Sequence, residues 1–235
     1  MVSVCMAVYN GEKFLKDQIA SILLQLSADD ELIISDDGPT DSTSTIVKSF
    51  ADNRIKYFIN TDWHGVNGNF QNALNHAKGD YIFLSDQDDV WLDGKVEACV
   101  AALADSYCVV HDCMVTDGDL KVTDDSFFKT RNSRSGFFHN WIRNGYLGCA
   151  MAFRREALDL CLPIPKGLPI WHDIWIGALC ELKYGVKFIP FKGIYFRRHD
   201  SNTSVTAKST FKLSHQIAYR LKELPYIFGR YFGLL

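Results

Sequence analysis

The run Gly79-Asp80-Tyr81-Ile82-Phe83-Leu84-Ser85-Asp86-Gln87-Asp88-Asp89-Val90-Trp91 decides how the rest of the chain is read. Its first half is apolar and strand-like, with the look of a buried strand. Its second half places three carboxylates where that strand leaves the core, and open α/β sheets bind ligands at strand ends. Clustered like charges repel unless a proton or a cation intervenes. Oxygen ligands of this kind suit Mg²⁺ or Mn²⁺, which commonly bridge protein carboxylates and phosphates. A capped acidic loop fits the same residues, since short Asp-rich turns are common.

Outward from this run, strands and helices alternate. Val2 to Val8 is strand-like and Tyr9-Asn10-Gly11 breaks it. A helix is expected over Glu12 to Leu26, with Phe14, Leu15, Ile19, Ile22 and Leu23 on one face. Strands are expected at Glu31 to Ser35 and Ile55 to Ile59, and helices at Thr43 to Ala51, Asn69 to Ala77 and Asp93 to Ala104. This alternation predicts an α/β fold with a mostly parallel sheet flanked by helices. Strand Cys108 to Asp112 continues it, and residues 116–136 read as a long polar excursion. Later come Gly148 to Phe153, helices at Glu156 to Cys161 and Asp173 to Tyr184, and a strand at Val186 to Pro190.

With 235 residues the chain can bury one large core. Its seven cysteines are odd in number and irregularly spaced, which argues against a zinc site or a disulfide framework. They read as small core residues of a reducing compartment. Met1 leads straight into a strand and no apolar run is long enough to span a bilayer, so a cytoplasmic location is expected. The net charge of −3 is uneven: residues 191–235 carry eight Lys and Arg against Asp200 and Glu223. A basic segment suggests phosphates or an anionic surface as its partner.

Three strand ends thus carry polar groups on what should be one edge: Tyr9-Asn10, Asp36-Asp37 and Asp86/Asp88/Asp89. That coincidence describes a pocket for a polar, charged ligand. Here the chain resembles the family-2 glycosyltransferases, which have the GT-A fold. The matching residues are Ala7-Val8-Tyr9-Asn10-Gly11, Asp36-Asp37-Gly38-Pro39-Thr40-Asp41, Gly79-Asp80-Tyr81 and Asp86-Gln87-Asp88-Asp89-Val90-Trp91. His172-Asp173 resembles the family's acidic pair that holds the catalytic base. Phe196-Arg197-Arg198-His199, followed by Asn202, resembles the Tyr-Arg-x-His…Asn segment of a bacterial rhamnosyltransferase-like branch. The resemblance runs from about residue 2 to 204.

The resemblance implies a role for each of these residues. Ala7 and Tyr9 would border the nucleobase, with Asp37 hydrogen-bonded to it and Asp36 on the same edge. Asn69 would contact the donor, or cap a helix. Asp86 would meet the ribose or the metal, Asp88 would be the principal ligand of Mg²⁺ or Mn²⁺, and His199 would complete that site or be structural. Arg197 and Arg198 have planar forks that suit phosphate oxygens. Asp173 would be the general base, or simply charge the start of its helix. Trp171 and Trp175 bracket His172-Asp173 and would stack on an acceptor sugar, or belong to the core. His172 would touch acceptor or diphosphate.

The expected activity is inverting, metal-dependent transfer from a UDP- or dTDP-sugar to a hydroxyl of a glycan or lipid-linked glycan, in bacterial surface polysaccharide synthesis. No nucleic-acid partner is expected. A sugar-nucleotide-forming nucleotidyltransferase would need a Gly-rich basic loop after the first strand, which Val8 to Glu12 lacks. A non-catalytic sugar-nucleotide-binding subunit is the other alternative. The expected organisation is one catalytic domain over 1–209, split into a nucleotide-sugar half (1–112) and an acceptor half (113–209). Residues 210–235 then form a basic amphipathic segment, broken near Pro225, with Ile217, Leu221, Leu224 and Phe228 on one face. That segment would dock on the cytoplasmic membrane face, or pack on its own domain or a second subunit.

Overall fold

In the computed structural model the described residues are 1–200, 202 and 213–234, without the side chains of 213–219. The expected boundary at 209/210 and the Lys208, Lys212, Ile217 and Tyr219 side chains lie outside them. In chain order the elements are β1 (Val2–Val8), α1 (Leu15–Leu23), β2 (Glu31–Asp36), α2 (Thr43–Ser49), β3 (Ile55–Ile59), α3 (Val66–His76) and β4 (Tyr81–Ser85). Then follow β5 (Val90–Trp91), α4 (Lys95–Ala102), β6 (Cys108–Thr116), β7 (Val122–Asp124), α5 (Phe127–Arg131) and α6 (Phe137–Ile142). A 3₁₀ turn (Gly148–Ala150) leads to β8 (Met151–Arg154), α7 (Arg155–Cys161), α8 (His172–Lys183), β9 (Lys187–Arg197) and α9 (Leu213–Tyr231).

One sheet takes all the strands, in the order β3-β2-β1-β4-β8-β6-β9-β5, with β7 paired to β6. The β3, β2, β1 and β4 strands run parallel, while β8 is antiparallel to both its neighbours. Helices cover both faces, so the central strands are apolar throughout. Side chains alternate between the faces. Ile33 joins a core shared with α3, α7 and α8, whereas Leu32 and Ile34 join one shared with α1 and α4. The register fixes the functional edge: Val8 lies beside Asp36, and Met6 beside Ser85. Three chain segments therefore leave the sheet side by side at their carboxyl ends.

The second half differs from expectation in three ways. The polar excursion over 116–136 contains β7 and α5, and α6 follows it. The strand expected to stop at Pro190 runs on to Arg197. Pro190 is tolerated because the pairing with β6 is irregular there, passing from His111↔Ile189 to Asp112↔Lys192. Finally, α9 is continuous through Pro225, which is exposed.

The C-terminal helix packs on its own domain. Glu223 and Ile227 are buried, Leu224, Phe228 and Arg230 are half-buried, with Phe228 5.9 Å from the Phe137 ring centre on α6, and of the expected apolar face only Leu221, 52% exposed, points outward among the described side chains. Arg230 donates to the carbonyls of Leu162 at 2.9 Å and Pro163 at 2.6 Å, just past the end of α7. A cation there complements the helix dipole. Among the described residues no helix is long and apolar enough to cross a membrane.

Candidate active site

Where the three strands end, a cleft of about 450 Å³ opens. Its lining brings together Ala7, Tyr9, Asp37, Asn69, Asp86, Asp88, Trp171, His172 and Asp173. These residues are spread over 167 positions of sequence, and the β1-β2-β4 register with the start of α8 is what gathers them.

Asp37 is held by three donors: Asn60 Nδ2 at 2.8 Å, the Gly65 N–H at 2.7 Å and His64 Nδ1 at 2.9 Å. Gly65, with φ of +96°, precedes α3 and turns its amide toward the carboxylate. Asn69 is within α3 rather than at its cap; it accepts from Ser35 Oγ at 2.6 Å and donates to the Val8 carbonyl at 2.9 Å. Gln87 was not singled out from sequence. Its carboxamide accepts from the Tyr9 N–H at 2.8 Å and donates to the Tyr9 carbonyl at 3.1 Å, joining the β1 and β4 ends.

Asp88 Oδ2 lies 2.9 Å from His199 Nε2 and accepts from Asn202 Nδ2 at 2.9 Å. The Asn202 side-chain Oδ1 in turn accepts from the His199 N–H at 2.7 Å. The end of β9 therefore folds back as a latch onto the acidic run. Asp86 sits deeper. Burial, with Asp88 and Asp173 close by, pushes its carboxyl up to about 7. Asp89 is fully buried: one oxygen accepts from the Arg197 N–H at 3.0 Å, and the other has no nitrogen or oxygen donor among the described residues. Beneath them Lys95 is buried, donates to the Cys149 carbonyl at 2.8 Å and lies 3.7 Å from the Trp91 ring centre; burial lowers it to about 8.

Ligand atoms of Asp86, Asp89 and Cys149 lie within 4.8 Å of one another. Asp86 and Asp89 supply the carboxylate oxygens of that group, the donor type that fits a hard divalent cation, while Asp88, held by His199 and Asn202, is not part of it. Burial holds the Cys149 thiol well above its ordinary value, so it is a poor ligand.

On α8, Asp173 is buried and lines the cleft. Burial raises it to about 6 against the backbone N–H donors that lower it, among them Ile174 at 2.8 Å. His172 stacks on Phe70 with 3.7 Å between ring centres, and burial lowers it to about 3. Neither of its ring nitrogens has a partner among the described residues. At neutral pH it is an uncharged ring with one donor and one acceptor to offer. Gly148 makes this approach possible, since a Cβ there would lie 2.9 Å from His172 Nε2.

Five expected site residues fall outside the lining. Asp36 is fully buried and accepts from the Tyr57 hydroxyl at 2.6 Å, because two consecutive acids at a strand end point to opposite faces. Arg197 is buried against Phe14, 4.4 Å from its ring centre, and donates to the Gly118 carbonyl at 3.1 Å. Arg198 lies 5.3 Å from the Phe196 ring centre. His199 meets the cleft lining through Asp88 and Asn202. Trp175 is a core residue whose indole donates to the Cys161 carbonyl at 2.8 Å; Trp171 is 40% exposed at the cleft.

Comparison with known proteins places this arrangement. An uncharacterized glycosyltransferase, alr2836, of Nostoc sp. is 27% identical over 88% of this chain and 68% of its own length. The dTDP-rhamnosyl transferase RfbG of Shigella flexneri is 25% identical over 90% of this chain and 77% of its own. The UDP-Glc:alpha-D-GlcNAc-diphosphoundecaprenol beta-1,3-glucosyltransferase WfgD of Escherichia coli is 36% identical, but over 44% of this chain and 41% of its own. Among solved structures, S. aureus TarS 1-349 with UDP-GlcNAc superposes with a TM-score of 0.70 at 17% identity, covering 99% of this chain and 72% of that one. The mannosyltransferase PcManGT from Pyrobaculum calidifontis, in complex with GDP-Man and Mn²⁺, gives 0.63 at 18%, covering 99% and 73%. The fold is thus of GT-A type. The Glycosyl transferase family 2 model matches residues 3–161, more than half of the chain, and the protein belongs to that family.

Proposed function

We propose that this chain is an inverting, divalent-metal-dependent glycosyltransferase. It moves a sugar from a UDP- or dTDP-sugar to a hydroxyl of a lipid-linked glycan, in the synthesis of a bacterial surface polysaccharide. One observation carries this reading: a single cleft is lined by Asp37, by Asp86 and Asp88, and by Asp173. The names of the relatives, a dTDP-rhamnosyl and a diphosphoundecaprenol glucosyltransferase, support the donor and acceptor classes.

In this reading Tyr9, Asp37 and Asn69 face the nucleoside. Asp86 and Asp88, with His199 and Asn202 behind Asp88, hold Mg²⁺ or Mn²⁺. When bound, the cation neutralises charge growing on the diphosphate leaving group. Asp173, raised to about 6, is ionised at neutral pH yet still basic enough to take the acceptor proton. His172, uncharged, hydrogen-bonds the acceptor, and Trp171 offers it an aromatic face. One displacement with one base inverts the anomeric centre. Lys95 lies under the acids and offsets part of their mutual repulsion.

The test is calorimetric titration with UDP, dTDP and GDP, with and without Mn²⁺, followed by turnover with the nucleotide-sugar that binds. Binding of UDP or dTDP that tightens with Mn²⁺ is expected. Metal-independent binding, or binding of none of the three, overturns the reading.

A further inference from the structure

The acceptor half carries a second cationic centre that the site above does not use. Arg131 ends α5 and lies 5.8 Å from the Phe127 ring centre. Phe127 meets Phe196 edge-on at 6.2 Å, and Arg198 lies 5.3 Å from Phe196 on β9. Arg143, just past α6, donates to the Thr130 carbonyl at 3.0 Å, which brings it beside Arg131. Two guanidinium groups therefore lie on one aromatic pair, with Arg143 beside Arg131.

Among the described residues no carboxylate lies within 4.0 Å of Arg131 or Arg143, and the Arg131 guanidinium makes no hydrogen bond. Burial and the neighbouring charges of Arg143 and Arg198 hold Arg131 below its ordinary value. Two neighbouring cations such as Arg131 and Arg143 with no carboxylate within ion-pair distance among the described residues repel each other at a cost in free energy, which an anion would recover. The cluster adjoins the cleft: Phe196 lines it, and Leu147 and Gly148 line it four and five residues beyond Arg143. On α6 itself Phe138 is 73% and Ile142 69% exposed, one helical turn apart, next to Arg143. A doubly charged head and an apolar tail would both find a surface here.

We propose that Arg131 and Arg143, with Arg198 beside them, bind the diphosphate of a lipid-diphosphate-linked acceptor, while Phe138 and Ile142 contact the start of its lipid. The proposal rests on the acceptor class argued above. Planar guanidinium forks match phosphoryl oxygens in pairs, and two such forks suit a diphosphate. With the head group fixed there, the sugar of the acceptor extends toward Trp171 and Asp173.

The experiment uses the full chain saturated with UDP and Mn²⁺, so that the nucleotide site is filled. Farnesyl diphosphate is the probe, set against inorganic pyrophosphate and phosphatidylglycerol vesicles. The wild type should bind farnesyl diphosphate more tightly than pyrophosphate. The R131Q/R143Q variant should lose about 10–100-fold in that affinity with UDP binding unchanged, as expected for charge-assisted hydrogen bonds. The charge-keeping R131K/R143K variant should recover part of it. Unchanged affinity in the Gln variant overturns the proposal. Equal binding of pyrophosphate makes the cluster a site for a free anion, and binding of vesicles alone makes it a membrane surface; either result also overturns it. Failure of the wild type to bind UDP strikes the donor reading instead, and the arginines are then read from the farnesyl diphosphate titration alone.

Discussion

At the scale of single residues, the cleft trades stability for reactivity. Asp173 is an acid kept in a buried place, raised from 3.8 to about 6. A raised carboxyl favours the folded state fully below its unfolded value, and that benefit fades as pH climbs through the folded one. Replacing it with Asn removes the ionising group. The Asp173→Asn variant should therefore unfold at higher denaturant than the wild type at pH 8, by on the order of 1–3 kcal/mol, with the gap closing toward pH 4. Equal stability at pH 8 would contradict the buried-charge account. The same variant should lose about 10²–10⁴ in turnover while still binding nucleotide, and near-normal turnover would remove Asp173 from its role. In the wild type, kcat/KM should rise with pH through about 6 as the base ionises. A profile flat from pH 5 to 7.5 would assign the proton transfer elsewhere. Asp173 was singled out through the family resemblance of His172-Asp173, since an acid at a helix start by itself reads equally as a cap, and the fold places it in the cleft lining. Asp36 was misread because residue type alone does not say which face of the sheet a side chain takes.

At the scale of elements, the walls of the cleft are made by contacts that leave little trace in the sequence. Gly148 is an ordinary glycine in an unpatterned stretch, yet its missing Cβ gives His172 and Asp173 their room. Gly148→Ala should displace the His172 ring from Phe70, costing about 1–3 kcal/mol of stability as overpacking does. Turnover should fall at least tenfold with nucleotide affinity nearly intact, measured by calorimetry beside initial rates. A variant as active as the wild type would show that this wall yields freely. The parallel half of the sheet was readable because its strands are short, apolar and regularly interrupted by helices. The other half was not: β5 has two residues, and β9 crosses a proline at an irregular pairing. Such strands exist through distant partners, and local periodicity cannot register them. The His199…Asn202 segment was picked out as part of the family resemblance, but its latch onto Asp88 was not read from the sequence.

At the scale of the whole molecule, α9 binds the last stretch of described chain to the body of the fold. Its basic, amphipathic composition left docking on a membrane and packing on its own domain both open, and composition does not reveal that Arg230 turns inward to the end of α7. Arg230→Ala should lower the unfolding free energy by about 1.5–3 kcal/mol, the range for hydrogen bonds to a charged group, with little change in nucleotide binding. A loss under about 0.5 kcal/mol, typical of surface substitutions, would mean the helix is held by Ile227 and its neighbours alone.

The carboxamide of Gln87 grips both backbone polar groups of a single residue, the N–H and carbonyl of Tyr9. Two adjoining strand tips are thereby riveted into one stiff jaw. Any breathing that lets spent nucleotide escape then falls to the remaining segments, 147–148 and 171–173, and to the latch of His199 and Asn202. Exit kinetics should accordingly respond to substitutions in those hinges even where equilibrium affinity stays put.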